Sequence, residues 1–299
     1  MSRRSNKFNV VSTADSSYFG LGRVVYFDDR LNRRAILGSL ISAVLLMIWV
    51  TFSGKMSTTE ATTFGIVGAC NFFFTYLIAQ ELDPEPKRRA AGLLGGLLAV
   101  VAQVFLGAGD VTMLLWALFV IRMFNRSSGS RHKIGDNIII LVAAFWLGKH
   151  GLWIMPGLTA ACYVVESQIK EGYFRSLYMA GIACAMYLVI DRATVTPGLT
   201  LTYVILLGIC VFLFAPELSV ASQCTARGDR DNRPLITQRI MMGQGLFLMG
   251  SFFLIFFCGD DAIRSLYPVW MAAAACGIYL LIFLIHDKKV VEAQLKDSK

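Results

Sequence analysis

Charged side chains are scarce in this chain: Asp, Glu, Lys and Arg make up 16% of its 299 residues, against roughly a quarter in an ordinary soluble domain. Hydrophobic residues fill 56% of the positions, so water is not the main solvent and no separate soluble domain fits. Histidine is nearly missing. His132, His150 and His286 lie far apart, without the spacing of metal ligands. The seven cysteines form no C-x-x-C pair, and six of them fall within or at the edge of apolar runs, where they read as small buried hydrophobes. These patterns argue against a Cys/His metal site and against a disulfide framework. A cleavage site of the A-x-A kind is also lacking after the first apolar run, which starts near Ala35 behind an arm bearing seven Lys or Arg. That run reads as a retained anchor rather than a signal peptide.

What is present is a series of ten apolar runs, at 35–53, 62–80, 90–107, 110–124, 136–148, 151–167, 174–191, 198–215, 239–258 and 266–286. A hydrocarbon core about 30 Å thick needs roughly 17 to 25 apolar residues per helix. The sequence therefore predicts an all-α, polytopic transmembrane helix bundle of about ten spans. It divides into an arm (1–34), a transmembrane helical domain (35–286) and a C-terminal tail (287–299). The runs at 110–124 and 136–148 are the weakest, and re-entrant half-helices could replace them, which leaves an eight-span arrangement open.

The formal charge of +8 could suggest a nucleic-acid partner, but in a polytopic protein a basic balance follows topology, and no nucleic acid is expected. With the N-terminus inside, 24 of the 28 Lys and Arg fall on the cytoplasmic side, leaving Lys55, Lys149, Arg192 and Arg264 outside. This asymmetry predicts cytoplasmic N- and C-termini in a multi-pass protein of the cell membrane. Asn125-Arg126-Ser127 fits a glycosylation acceptor but falls on the cytoplasmic side, so it is expected to be unmodified. Tyr18 to Leu31, aromatic and charged together, suits the headgroup layer or a solvated arm. Gly92, Gly95 and Gly96 allow another backbone to approach closely.

No charged residue lies at the centre of any run, which disfavours a pump that needs a titrating group at mid-depth. The deep polar candidates are Asn71, Gln103 and Gln244, with Glu166 near a run's end. They read first as interhelical hydrogen-bond partners and second as the lining of a neutral path. The polar chemistry concentrates in three cytoplasmic stretches, 81–89, 122–137 and 227–234. Either they are solvated connections that fix topology, or they converge on one mouth. In the second case Asp83, Asp136, Asp229 and Asp231 are metal or base candidates, and Arg122, Arg126 and Arg233 are phosphate clamps, with Asn125 on the face shared by Arg122 and Arg126. Asp229 to Pro234 resembles the Asp-rich stretch ending in Asn-Arg-Pro of the membrane-embedded prenyltransferases. The preceding Asn and the spaced Asp positions of that family are missing, and no family follows from it.

Three functions fit, in this order: a carrier of a small solute or lipid, an intramembrane enzyme acting on a phosphorylated lipid at the cytoplasmic face, and a non-catalytic membrane subunit or scaffold. The expected partners are membrane lipid, a phosphorylated lipid or small solute, and membrane partner subunits. The sequence names no cofactor.

Overall fold

The computed structural model describes residues 18–297 except 24, 55 and 192–197, with side chains to residue 286. Arg3, Arg4, Lys7, Lys55, Arg192 and Lys299 of the charge pattern lie outside the described residues. The chain is 76% helical, and no strand occurs among the described residues. Among the described residues nine α-helices follow in order: α1 (Arg30–Ser53), α2 (Thr58–Leu82), α3 (Ala91–Leu106), α4 (Val111–Asn125), α5 (Ile134–Lys149), α6 (Met155–Gln168), α7 (Ser176–Leu188), α8 (Leu201–Val220) and α9 (Thr237–Asp297).

Each boundary has a local cause. The Asp29 carboxylate accepts from the Leu31 N–H to start α1, and Gly54 at φ 63° ends it. Ser57 and Glu60 form a capping box at the head of α2. Asp110 accepts from the Thr112 and Met113 N–H groups to open α4. Gly259, at φ 61° and ψ −139°, breaks α9. The Phe247 and Trp270 rings, on either side of this break, lie 4.7 Å apart, so the chain reverses there and the two arms of α9 pack together. Among the described residues, ten helical segments thus stand where the sequence has ten apolar runs.

Four helices are long and apolar enough to cross a membrane: α1, α2, α8 with its continuation to Gln223, and α9 over Thr237–His286. Three further helices, α3, α4 and α7, are apolar but shorter. The 15 residues of α4 rise only about 22 Å. Leu37, Leu40, Val44, Leu45 and Phe52 of α1, Phe105 of α3 and Phe212 of α8 point outward and exposed. Such an apolar exterior suits lipid rather than water. These features support a transmembrane protein.

The centre of the bundle is α2, α4 and α9, against which α3 packs. Glycine makes that contact close: a Cβ added at Gly92 would sit 2.8 Å from the Tyr76 ring and carbonyl, and one at Gly96 would sit 2.9 Å from the Phe72 ring. Gly96→Leu is therefore expected to cost about 1–3 kcal/mol by overpacking, measured as a lowered thermal midpoint in detergent.

The connections 83–90, 126–133, 169–175 and 221–236 gather at one end of the bundle with residues 18–29. Backbone bonds tie them there, with the Asp229 N–H donating to Ser127 O at 3.0 Å and the Gly135 N–H to Tyr18 O at 3.0 Å. At the opposite end, the Tyr267 hydroxyl donates to Gly107 O at 3.1 Å. Tyr18 to Leu31 lies on the loops: Leu21 is fully buried, while Tyr18, Tyr26 and Phe27 are exposed.

Candidate anion-binding site at the loop end

Three ionic clusters occupy the loop end. In the first, the buried Glu81 at the end of α2 accepts from Arg122 Nε at 3.0 Å and from Arg23 Nη1 at 3.1 Å. Arg23 also grips Asp229 through Nε at 2.6 Å and Nη2 at 3.0 Å. Burial works against the charge of Arg23, but Glu81 and Asp229 outweigh it and hold the guanidinium above its ordinary value. One arm residue thus joins α2 to the last loop.

In the second cluster, Arg88 forms a two-pronged bond to Asp83, at 2.6 and 2.7 Å, and lies 3.5 Å from Glu217 of α8. Burial disfavours the Arg88 charge, yet the bond and attraction from Asp83 raise its pKa above the ordinary value. Glu85 accepts from the Thr225 N–H and hydroxyl.

The third cluster contains a cavity of about 250 Å³ whose charged lining is Arg126, Arg131, Arg233 and Arg239 with Glu171 and Asp231. Behind it, the buried Glu166 of α6 accepts from Arg126 Nη2 at 3.2 Å and Arg239 Nη2 at 3.1 Å. Ser176 Oγ donates to the other oxygen of Glu166, and His132 Nε2 is 3.6 Å from it. Arg239, only 1% exposed, donates to Phe124 O at 2.7 Å, Met123 O at 3.0 Å and Lys170 O at 2.9 Å. It thereby satisfies two carbonyls that the end of α4 leaves open.

Arg126 ends α4 in the left-handed region, at φ 51°. Burial, which attraction to Glu166 offsets only in part and repulsion from Arg131 reinforces, leaves its pKa below the ordinary value. Its terminal nitrogens donate to the Glu166 and Glu171 carboxylates and to the Glu171 carbonyl. Arg126, Glu171 and Asn232 are the three non-glycine residues with positive φ among those described. The first two line the cavity, and Asn232 stands between the lining residues Asp231 and Arg233. Such conformations cost of order 1–3 kcal/mol and cluster at ligand sites. Four guanidinium groups against two carboxylates suit an oxyanion that can take planar forks.

The residues singled out in the sequence divide among these surroundings. Asn125, Arg126, Asp231 and Arg233 share the arginine cavity. Arg122 and Asp229 line a neighbouring cavity of about 270 Å³ with Arg23 and Glu81. Asp83 is engaged by Arg88. Asp136 is buried and accepts from the Gly20, Leu21 and Lys133 N–H groups at 2.7, 3.1 and 2.8 Å, so it anchors the arm.

The deep amides bond between helices. Asn71 Nδ2 donates to Gln103 Oε1 at 2.8 Å and to the Tyr267 hydroxyl at 3.0 Å, and Gln244 Nε2 donates to Leu82 O at 2.7 Å. Arg239 and Glu166 complete the arginine site, and Arg23 and Glu81 the neighbouring cavity; of these four the sequence singles out only Glu166, as a deep polar residue rather than as a site residue. Their signal was present, since Glu81 and Glu166 are carboxylates at the ends of apolar runs, where an uncompensated charge would be costly. Comparison with family models, curated proteins and solved structures returns no match to this chain.

Proposed function

We propose that this chain is a multi-pass protein of the cell membrane, with about ten crossings and both termini cytoplasmic, that carries a lipid or small solute bearing a phosphate-type anion. The observation that carries this reading is the arginine cavity, where four guanidinium groups meet three carboxylates, two in the lining and Glu166 behind it pairing Arg126 and Arg239. A volume of about 250 Å³ is just below the roughly 300–1,000 Å³ of pockets for drug-sized ligands, which fits a head group rather than a whole lipid.

Binding is favoured over metal-assisted catalysis because the four aspartates offered for that chemistry are already engaged, Asp231 by the Arg233 N–H at 3.1 Å. Asp83 holds Arg88, Asp229 holds Arg23, and Asp136 accepts from backbone N–H groups. A pure scaffold gives no reason for a partly buried Arg126 in a strained backbone. Mass spectrometry of the protein purified in mild detergent is expected to find a phosphorylated lipid or organic phosphate bound. Recovery of only zwitterionic or neutral lipid, unchanged by Arg233→Ala, would remove the anion site.

The crossings are tested separately. Reporter fusions after Arg89, Lys133, Arg175 and Arg233 are expected to read cytoplasmic, and a fusion after Arg264 external, because the Lys and Arg excess marks the inner side. An external signal at Arg233 would overturn the ten-crossing arrangement.

A further inference from the structure

Helix α1 packs on α2 and α3 and turns its other side outward. Ala35, Ser39, Ser42, Leu46 and Val50 belong to the buried face, while Leu37, Ile41, Val44, Ile48 and Phe52 are exposed. Arg30, Arg33 and Arg34 are exposed as well, and they continue the outer face rather than the inner one. With 3.6 residues per turn, all three lie within about 60° of the line that runs through Leu37, Ile41, Val44 and Ile48. Asn32 sets this rotation from the buried side, donating through Nδ2 to Tyr26 O at 3.1 Å and accepting at Oδ1 from the Tyr76 hydroxyl at 2.7 Å.

Among the described residues no ion pair joins these three cations to a carboxylate. Asp29 is held by Arg89 at 2.7 Å, and Asp28, exposed in the turn before the helix, pairs with none of them. The first turn of α1 contains no acidic residue, although the positive end of a helix dipole favours anions there. Topology asks for cations on the cytoplasmic side, but any place on the arm meets that need, and it does not select one face of one helix. Here the cations stand one turn ahead of the lipid-facing stripe, where head groups meet the hydrocarbon around it, and Phe27 is exposed just before them in the chain. The missing negative charge therefore comes from outside the chain.

We infer that the outer face of α1 binds an anionic phospholipid of the surrounding leaflet, with its phosphodiester among Arg30, Arg33 and Arg34 and an acyl chain along Leu37, Ile41 and Val44. Guanidinium forks hold phosphate oxygens by paired hydrogen bonds, and long Arg side chains reach the head groups while their stems lie on apolar surface. Leu37 follows Arg33 and Arg34 by one turn, about 5 Å along the axis, so head group and chain meet their complements in order. This site is separate from the arginine cavity and needs only that the chain spans a membrane.

The test sets dioleoyl phosphatidylglycerol against dioleoyl phosphatidylcholine in equal amounts on the full chain, with retained lipid read by native mass spectrometry. The two share their chains and differ in head-group charge. Wild type is expected to retain phosphatidylglycerol at least about fivefold over phosphatidylcholine, the effect of a single well-placed cation near a membrane surface. Arg33→Gln combined with Arg34→Gln is expected to remove most of that preference, and Arg126→Lys, in the arginine cavity, to leave it unchanged. Equal retention of the two lipids by wild type would overturn the site and leave this face to a protein partner. A preference lost in Arg126→Lys and kept in the double variant would also overturn it, by moving the anionic lipid to the cavity. If the double variant fails to insert or fold, phosphatidylglycerol with a photoreactive group high in its acyl chain decides with wild type. Adducts on 34–45 are expected, and adducts confined to α5 or α8 would contradict the inference.

Discussion

Glu166→Gln is expected to lower stability by about 3–5 kcal/mol, the cost of removing one partner from a buried ionic cluster. The exchange keeps the shape of the side chain and removes its charge. Arg239, 1% exposed, then has no carboxylate at hydrogen-bond distance, and Arg126 keeps only the more exposed Glu171. The effect is measured as the thermal midpoint in detergent and as earlier hydrogen exchange in 123–133 and 169–176. A midpoint equal to wild type would show that the two arginines find other counter-charges and that Glu166 does not brace the cavity.

The second large effect is expected at Glu81, which is fully buried and bridges Arg23 to Arg122. Glu81→Gln is expected to cost about 3–5 kcal/mol by the same reasoning. Arg122 is 7% exposed and loses its counter-ion, while Arg23 keeps Asp229. Combining Glu81→Gln with Arg122→Gln is expected to recover part of the loss, because the uncompensated charge is then gone. The single variant is also expected to free residues 20–23 from the loop end, read as faster hydrogen exchange there. A double variant less stable than the sum of the singles would exclude a charge-pair origin.

The bundle was legible because lipid imposes a simple rule: each crossing must be a helix with mostly apolar side chains. Apolar runs delimited by charge, Pro or Gly therefore mark the ten helical segments among the described residues, the turn at Gly259 included, although only four of the helices are long and apolar enough to cross a membrane. The weak runs at 110–124 and 136–148 form the regular helices α4 and α5. The Lys and Arg excess assigns the three polar stretches to one side, and they do gather at one end of the bundle, though in separate clusters rather than around one mouth. The pairing within them was not legible. Charge in a sequence does not reveal which group neutralises it, so Asp83 and Asp136 read as metal candidates although Arg88 and backbone N–H groups occupy them. Arg23 lay in an arm that could equally have been solvated, and its bonds to Glu81 and Asp229 span 58 and 206 residues. Arg126 was found from its helix face, but its left-handed backbone depends on how α4 ends against Arg239 and Glu166.

The most direct measurement of the central claim is phosphate-dependent lipid binding to wild type and to Arg126→Lys. In nanodiscs of zwitterionic lipid, 1-oleoyl-glycerol 3-phosphate and the phosphate-free 1-oleoyl-glycerol differ only in the charged group. The phosphorylated lipid is expected to bind wild type at least tenfold more tightly, equivalent to about 1.4 kcal/mol, and to weaken as salt rises. Arg126→Lys is expected to lose most of that preference, because a point charge cannot reproduce the planar fork. Equal affinity for the two lipids, or a preference that Arg126→Lys leaves intact, would contradict the assignment of the arginine cavity as an anion site.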